Sequence, residues 1–500
     1  MSLRTAMRTA PAWATLVVCC VAQFMVVLDV TIVNVALPQM RQDLGLSVNS
    51  QQWVVNAYTL TFAGFLMLGG RAADLFGRRR IFMIGLVIFT VCSLVGGVAQ
   101  SSGWLIGARA AQGLGGAVLA PATLSLLTSR FTDPHARRRA LGAWATTAAS
   151  GAAVGVLAGG VLTDLLDWRW VLFVNVPIGI AVLVLAMLSL SESRLNRTGQ
   201  RLDVLGATTV TLGLAAVVYG IVGTDTNSWG SARTIGVLAA GAVLLAAFAV
   251  IETRIAGQPL VPFSIFKMRS LSVANGVAVT IGMALFGAYF FLSLYLQQVA
   301  GYSPLRAGLA FLPVGLSTFL GSLIGTRVVH HIGYRRQLLL GPALSAAGLI
   351  WMATTLQAGD AYLPHILGPL ILFGLGVGLS FVPMTLAATH GMPPHQAGLA
   401  SGLINTTRQV GGAVGLAVMA TFASSVSRGH HPTGPQSVAT ALTAGYDRAF
   451  LIAGLALVVA VVLALALPSA AQQRANEQAV SEQPSQQPQA RVTADALAED

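Results

Sequence analysis

Two charged residues, Asp29 and Arg109, lie inside otherwise apolar stretches of the sequence. Asp29 belongs to the segment LDVTIVNVALP, and a carboxylate at membrane depth is costly enough that it usually has a function. Arg109 needs a partner for the same reason, and Asp29 is its natural counter-charge. A neighbouring arginine favours the ionised carboxylate, whereas burial favours the protonated form. We therefore predict that Asp29 exchanges protons and that Arg109 tunes this exchange; the alternative is a purely structural salt bridge.

The composition is that of a polytopic membrane protein. Hydrophobic residues make up 55% of the 500 and charged residues 9%, with a mean hydropathy of +0.73. A soluble protein carries about a quarter charged residues. Fourteen stretches approach the roughly 20 apolar residues that cross a bilayer, which predicts an all-α membrane protein. They are Trp13–Leu37, Trp53–Gly70, Ile81–Ala99, Leu105–Leu127, Leu141–Leu162, Val171–Leu190, Val204–Val222, Ile235–Ile251, Leu271–Val299, Gly308–Val329, Leu338–Leu356, Ile366–Ala388, Gly398–Ala423 and Ala449–Leu467.

The net charge of +12 does not indicate nucleic-acid binding, because the basic residues cluster in short loops between apolar spans. An even number of spans puts both termini on one side, and most of the 29 basic residues lie on that side. The opposite side carries few: Arg41, Arg169, Arg233, Arg306, Arg428 and Arg448. This asymmetry predicts that both termini are cytoplasmic. Only Lys267 is lysine, a bias that favours a GC-rich bacterial source and hence the bacterial cytoplasmic membrane.

The chain contains an internal repeat. Arg71, Gly77, Arg79 and Arg80 recur at a constant spacing as Arg327, Gly333, Arg335 and Arg336. The same spacing relates Gly142, Gly155 and Gly159 to Gly398, Gly411 and Gly415. Two repeated halves around a central site are typical of transporters. The predicted divisions are a cytoplasmic N-terminus (1–12), a six-helix half (13–190), two inserted helices with flanking loops (191–270), a second six-helix half (271–467) and a disordered cytoplasmic tail (468–500).

The loop after the second span resembles the signature loop of the major facilitator superfamily. Its matching residues are Gly70, Arg71, Asp74, Gly77, Arg78 and Arg79. The resemblance implies a gating role, in which the loop latches the two halves in one access state. Asp74 is expected to cap the next helix or to pair with an arginine across the bundle. In the second half, His330 stands in place of Asp74.

Two further motifs resemble those of the same superfamily. Arg109-Ala110-Ala111-Gln112-Gly113 is similar to the helix-4 motif, whose arginine is tied to proton transfer. Gly151, Gly155, Gly159 and Gly160 resemble the antiporter motif of helix 5, in which small residues let helices approach closely. Val156 replaces that motif's usual proline. With residues 28–38, Trp168-Arg169-Trp170, Tyr295-Leu296-Gln297-Gln298 and the fourteen spans, the chain resembles the fourteen-helix drug:proton antiporters.

Several polar and aromatic residues on apolar spans are candidates for lining a substrate cavity. They are Gln23, Asn34, Asn56, Tyr58, Gln112, Phe286, Phe290, Gln297, Asn405 and Arg408. For most of them, interhelical hydrogen bonding or packing is the competing interpretation. Arg408 has no acidic residue in its own span; it contacts substrate or an anion, gates the cavity, or extends to the membrane surface.

The expected function is proton-coupled efflux of lipophilic cationic or neutral drugs or secondary metabolites by alternating access. The expected partners are the small-molecule substrate, protons and the lipid bilayer, with the chain acting as a monomer. We expect no enzymatic activity, no metal and no cofactor, since no Walker-type loop is present and the proton gradient supplies the energy. A proton-coupled uptake permease on the same fold is an alternative. A non-transporting membrane sensor is another.

Overall fold

The computed structural model describes residues 11–192, 202–224, 227–358, 362–392, 397–430 and 434–468. Every regular element in these ranges is a helix. The predictions for the first ten residues and for the tail beyond residue 468 concern residues outside the described ranges.

Fourteen long helices, numbered α1 to α14, follow one another along the described chain. They are α1 Ala12–Leu44, α2 Val48–Phe76, α3 Arg78–Gly97, α4 Ser102–Arg130, α5 Pro134–Leu165, α6 Trp170–Ser189, α7 Val204–Gly223, α8 Ala232–Ile255, α9 Arg269–Val299, α10 and α11 as the two arms of Pro304–Thr355, α12 His365–Thr389, α13 Ala397–Gly429 and α14 Pro435–Leu465. A turn at Val174 interrupts α6, and a short 3-10 helix, Phe263–Lys267, precedes α9. The helices extend past several predicted ends; α1, for example, continues through Pro38.

Gly333 separates α10 from α11. The helical stretch Pro304–Thr355 is 52 residues long, or about 78 Å at 1.5 Å per residue, more than twice a bilayer core of about 30 Å. It bends at Gly333, whose φ of 77° is left-handed, a conformation that glycine adopts without steric cost. Thirteen candidate spans, one of them containing two crossings, therefore give the predicted fourteen.

The two halves repeat the same geometry. Gly77, which corresponds to Gly333, also has a positive φ, of 106°, between α2 and α3. Gly155 on α5 packs against the backbone of α1, and its counterpart Gly411 on α13 packs against the backbone of α9 at Val279. Equivalent glycines thus make equivalent turns and helix contacts in both halves.

The inserted helices touch both halves. Val218 and Val222 on α7 form one apolar cluster with Leu60 on α2 and with Ala413 and Ala417 on α13. Much of α8 faces outward with apolar side chains, as expected for lipid contact, and it packs mainly against α7. The insertion therefore packs against one helix of each half, α2 and α13.

Candidate functional site

Asp29 and Arg109 form a completely buried ion pair. Arg109 Nη1 donates to Asp29 Oδ2 at 2.6 Å, and the two residues are 2% and 0% exposed. Asp29 lies on α1 and Arg109 lies on α4. The predicted pairing of these two residues is confirmed as a contact, and its charge-assisted geometry is that of a strong hydrogen bond.

Two amides complete the hydrogen bonding of Asp29. Gln112 Nε2 and Asn175 Nδ2 donate to Asp29 Oδ1 at 2.8 and 2.9 Å, and both amides also reach Ser93 Oγ. Arg109 in turn donates to Gln112 Oε1 at 2.7 Å. One guanidinium and two amides thus surround an ionised carboxylate with donors, which offsets the cost of burying its charge.

Sequence reasoning placed Gln112 among the cavity candidates and did not assign Ser93 or Asn175 to the site. All three side chains are buried in the same network on α4, α3 and α6. The available signal was the one that selected Gln112: an isolated polar side chain on an apolar helix. The sequence does not say which of these helices face one another.

Arg109 is also held by α2. Its Nε donates to the carbonyl of Val54 at 3.3 Å, and its guanidinium lies 4.4 Å from the ring centroid of Tyr58. Tyr58, predicted as cavity lining, is instead buried beneath Arg109 and stacked on Phe62. The charge balance at Asp29 therefore depends on the position of α2, which ends in the predicted gating loop.

The glycine motif of α5 fixes the position of α1 around Asp29. A Cβ at Gly155 would lie 2.9 Å from the carbonyl oxygen of Leu28, and one at Gly159 would lie 2.7 Å from that of Ile32. Gly151 meets α1 one turn earlier. Gly160 points elsewhere, towards α10, where it meets Gly308. The motif thus packs against the acid-bearing helix and, through Gly160, against the other half.

Contacts between the halves close the end of the bundle away from Gly77 and Gly333. Ser293 Oγ donates to the carbonyl of Asn34 at 2.8 Å, and Gln297 Nε2 donates to the carbonyl of Val35 at 3.0 Å. Asn34 itself bonds within α1 through its side chain. Asn34 and Gln297, both predicted as cavity lining, therefore lie at this α1–α9 contact.

The end that carries Gly77 and Gly333, here called the arginine-rich end, is open between the halves. A Cβ at Gly142 on α5, or at Gly398 or Gly402 on α13, would meet no atom within 4 Å. Asn405 is exposed on α13 and accepts a hydrogen bond from Arg408 Nη2 at 2.8 Å. Among the described residues, the hydrogen bonds between the halves lie at the opposite end, so the space between the halves opens at the arginine-rich end.

The guanidinium of Arg408 packs against an aromatic ring. Its guanidinium is 5.2 Å from the ring centroid of Phe381 on α12. Among the described residues, no carboxylate forms an ion pair with it.

The remaining candidates for cavity lining lie deeper in the protein. Gln23 and Asn56 are buried, with polar atoms that have no partner among the described residues. Phe290 is buried, and Phe286 packs on Gly412.

The predicted gating loop makes contacts other than the expected ones. Asp74 pairs with Arg78, four residues on, at 3.2 Å and accepts from Ser125 at 3.4 Å. Among the described residues, it neither caps α3 nor binds an arginine across the bundle. The carboxylate of Glu192 instead accepts from the backbone N–H groups of Arg79 and Arg80 at the start of α3. Sequence reasoning missed this cap because Glu192 is distant in the chain.

Comparison with known proteins agrees with this architecture. A family model described as "Major Facilitator Superfamily" matches residues 19–416. The cephamycin export protein CmcT of Amycolatopsis lactamdurans is 44% identical over 427 residues, covering 84% of this chain and 87% of that protein. The puromycin resistance protein pur8 of Streptomyces alboniger is 41% identical over 450 residues, 88% of each chain.

Solved structures show the same fold at low identity. A peptide transporter POT in complex with sulfate superposes with a TM-score of 0.65 at 15% identity, covering 93% of this chain and 99% of that one. A bacterial homolog of the human lysosomal transporter Spinster, inward-facing and unoccupied, gives 0.63 at 16%, covering 91% and 96%. The expected major facilitator fold is confirmed, and the chain belongs to the Major Facilitator Superfamily.

Proposed function

We propose that this protein exports lipophilic cationic or neutral drugs or secondary metabolites across the bacterial cytoplasmic membrane in exchange for protons. The observation that carries the proposal is the fully buried Asp29–Arg109 pair, whose acid lies on the helix that also contacts the second half. The export and resistance functions named for the two relatives support the substrate class and the direction. The proton gradient drives transport, and no cofactor takes part.

Both termini are assigned to the cytoplasm, because the loops at the arginine-rich end carry most of the basic residues. With that orientation, the open end between the halves faces the cytoplasm and the closed end faces outward. Residues 13–190 and 271–467 are the two moving halves, residues 191–270 are an accessory insertion, and the chain acts as a monomer in lipid. Substrate enters from the cytoplasm between α5 and α13.

Asp29 links proton exchange to access because α1 carries both the acid and the outer contact. Asn34 and Val35, whose carbonyls hold α9, lie about one and a half turns from Asp29 on the same helix. When those contacts break, α1 shifts relative to α2 and α4, which hold Arg109. Water then reaches Asp29 from outside, and its carboxylate takes a proton.

Return to the present conformation re-forms the Arg109–Asp29 bond at 2.6 Å. Arg109 and the two amides stabilise the carboxylate and not the acid, so the proton leaves towards the cytoplasm. Substrate that was bound from the cytoplasmic side has meanwhile been released outside. The gating loop stabilises one of these two states, through α2, by positioning Arg109.

The test is proton movement on addition of ethidium to energised inside-out vesicles, comparing the wild type with Asp29→Asn. Asparagine can still form hydrogen bonds but cannot take up or release a proton. Drug-dependent proton release should therefore be lost at equal expression. Asp43→Asn is the matched control: Asp43 lies on the same helix, is partly exposed and pairs with Arg169 at 2.9 Å.

Full coupling in Asp29→Asn would contradict the proposed mechanism, since the acid would then be structural. The direction of ethidium flux in the same vesicles decides between export and uptake. Net accumulation inside inside-out vesicles is the expected result, and net depletion would favour the permease.

A further inference from the structure

A second pair of carboxylates lies outside the Asp29 site, where the two inserted helices meet. Asp203 stands at the N-cap of α7, and Glu252 lies in the last turn of α8. Glu252 is only 4% exposed. Two acids with no evident counter-charge at the end of a helical hairpin are costly unless something neutralises one of them.

One oxygen of each carboxylate lies beside Gly206. Asp203 Oδ2 and Glu252 Oε1 are both buried, and neither has a hydrogen-bond partner among the described residues. A Cβ built on Gly206 would lie 2.5 Å from the first and 2.9 Å from the second. Gly206 thus leaves room for the two oxygens to face each other, and a larger residue would separate them.

Each acid has its other oxygen occupied by a backbone donor. Asp203 Oδ1 accepts from Gly206 N at 2.7 Å, and Glu252 Oε2 accepts from Val261 N at 3.0 Å. The remaining oxygens are the only ones left to share a proton. Asp203 is further stabilised as an anion by the N-terminus of α7. The proton therefore belongs on Glu252 Oε1, which donates to Asp203 Oδ2.

Within the described ranges, which leave out residues 193–201, no basic side chain neutralises this pair. On the elements packed around it, the charged groups are Arg254, exposed on α8 itself, and Arg71 and Asp74 near the end of α2. Arg71 Nη1 donates to the carbonyl oxygens of Gln258 and Pro259 at 2.7 and 3.3 Å, and its Nη2 donates to the side chain of Gln258. Among the described residues, neither acid of the pair takes part in an ion pair.

We propose that Asp203 and Glu252 form a second proton-binding site, a carboxyl–carboxylate pair whose protonation state is linked to the gating loop. The connection runs from Glu252 to Val261, along the segment 256–262, and to Arg71 through Gln258. As the pH rises the proton leaves to water. The bond from Val261 N to Glu252 Oε2 then becomes charge-assisted and holds the segment more tightly to α8. The pairing depends on neither the direction nor the substrate of transport.

Infrared spectroscopy of the full-length protein in lipid tests the shared proton directly. Protonated carboxyl groups give a C=O stretching band that carboxylates lack, and exposed acids are ionised at neutral pH. Among the described residues, Asp29 is the other fully buried acid, and an Asp29→Asn background removes it. In that background we expect one carboxylic acid band at neutral pH, lost in Glu252→Gln.

Asp203→Asn should weaken the band, because it removes the negative charge that opposes ionisation of Glu252, whereas the burial of Glu252 remains. The amide of asparagine donates to Glu252, and asparagine remains a good N-cap. If the background protein shows no band, if the band survives Glu252→Gln, or if Asp203→Asn leaves it unchanged, the inference is wrong.

Hydrogen exchange provides a second measurement that does not depend on transport activity. At the same alkaline pH, residues 256–262 should exchange several-fold more slowly in the wild type than in Glu252→Gln, whose neutral amide is a weaker acceptor for Val261 N. At acidic pH the two proteins should exchange alike. Equal rates at alkaline pH would overturn the link to the gating loop.

Discussion

Arg71 Nη1 donates a hydrogen bond of 2.7 Å to the carbonyl oxygen of Gln258, joining the gating loop to the segment that follows the inserted helices. This loop was expected to latch one half of the transporter to the other. In this conformation, which is open at the arginine-rich end, its arginine holds the insertion instead. The insertion packs on α2 and on α13, so it connects the loop indirectly to the second half.

Arg71→Ala should loosen the segment 256–262 and slow transport. A hydrogen bond to a charged group contributes about 1.5–3 kcal/mol, so local opening should become at least about tenfold more frequent. Hydrogen exchange of that segment measures the effect. Arg80→Ala is the control, because it removes the same charge from the same loop but its side chain is exposed. Equal exchange in the two variants would show that Arg71 acts only through its charge.

Asp29→Asn should destabilise the protein more than Arg109→Gln. Without the charge of Asp29, the buried guanidinium loses its counter-charge and cannot give up its proton, at a cost of about 3–5 kcal/mol. Without Arg109, Asp29 can take up a proton, as in the proposed cycle, and keeps Gln112 and Asn175 as partners. Unfolding midpoints in detergent rank the variants. The double variant should lose less stability than the sum of the single ones, and strict additivity would argue against a direct pair.

Gly159→Ala should reduce both stability and transport. The added methyl group would lie 2.7 Å from the carbonyl oxygen of Ile32 and push α5 away from α1, and overpacking of this kind costs about 1–3 kcal/mol. Gly142→Ala lies on the same helix where a Cβ meets nothing. It should be neutral or slightly stabilising, because alanine favours helix. Unfolding midpoints and ethidium efflux are measured for both variants. Equal values for the two variants would contradict the packing argument.

The protein should transport monocations better than dications. One carboxylate serves the site, and Arg408 adds a positive charge near the open end of the bundle. Ethidium and propidium are a matched pair, since propidium carries an additional quaternary ammonium group. We expect several-fold slower efflux of propidium from vesicles, and Arg408→Gln should narrow the difference. Equal rates for both dyes in the wild type would contradict this prediction.

Features that depend on a single helix can be predicted from the sequence. Asp29 and Arg109 stand out because a charge is conspicuous in an apolar span, and Gly77 and Gly333 stand out because they repeat. Ser93 and Asn175 are ordinary polar residues until helix packing brings α3 and α6 to Asp29. The sequence alone does not determine that packing.

The burial of residues at the ends of spans is hard to predict from the sequence. Glu252 falls just beyond the predicted eighth span, where an acid is unremarkable, but α8 continues past it and buries it. Asn34 and Gln297 are predicted as cavity lining because they are polar residues on apolar helices. Their position at the α1–α9 contact depends on the access state, which a sequence does not encode.

A disulfide between α5 and α10 should lock the transporter in the present state. A Cβ at Gly315 would lie 3.1 Å from Cβ of Ala153, a few tenths of an ångström below the usual range of about 3.5–4.5 Å for a disulfide. The paired substitutions are Ala153→Cys and Gly315→Cys, in a background with Cys19, Cys20 and Cys92 replaced by alanine.

Oxidation of the paired variant should stop ethidium efflux, because the halves can no longer separate at the closed end, and dithiothreitol should restore it. Each single cysteine variant is a control for overpacking and should respond to neither treatment. Mass spectrometry verifies that the bond has formed. If the cross-linked protein transports at the wild-type rate, the α5–α10 contact does not open during the cycle, and the alternating movement must occur elsewhere in the bundle.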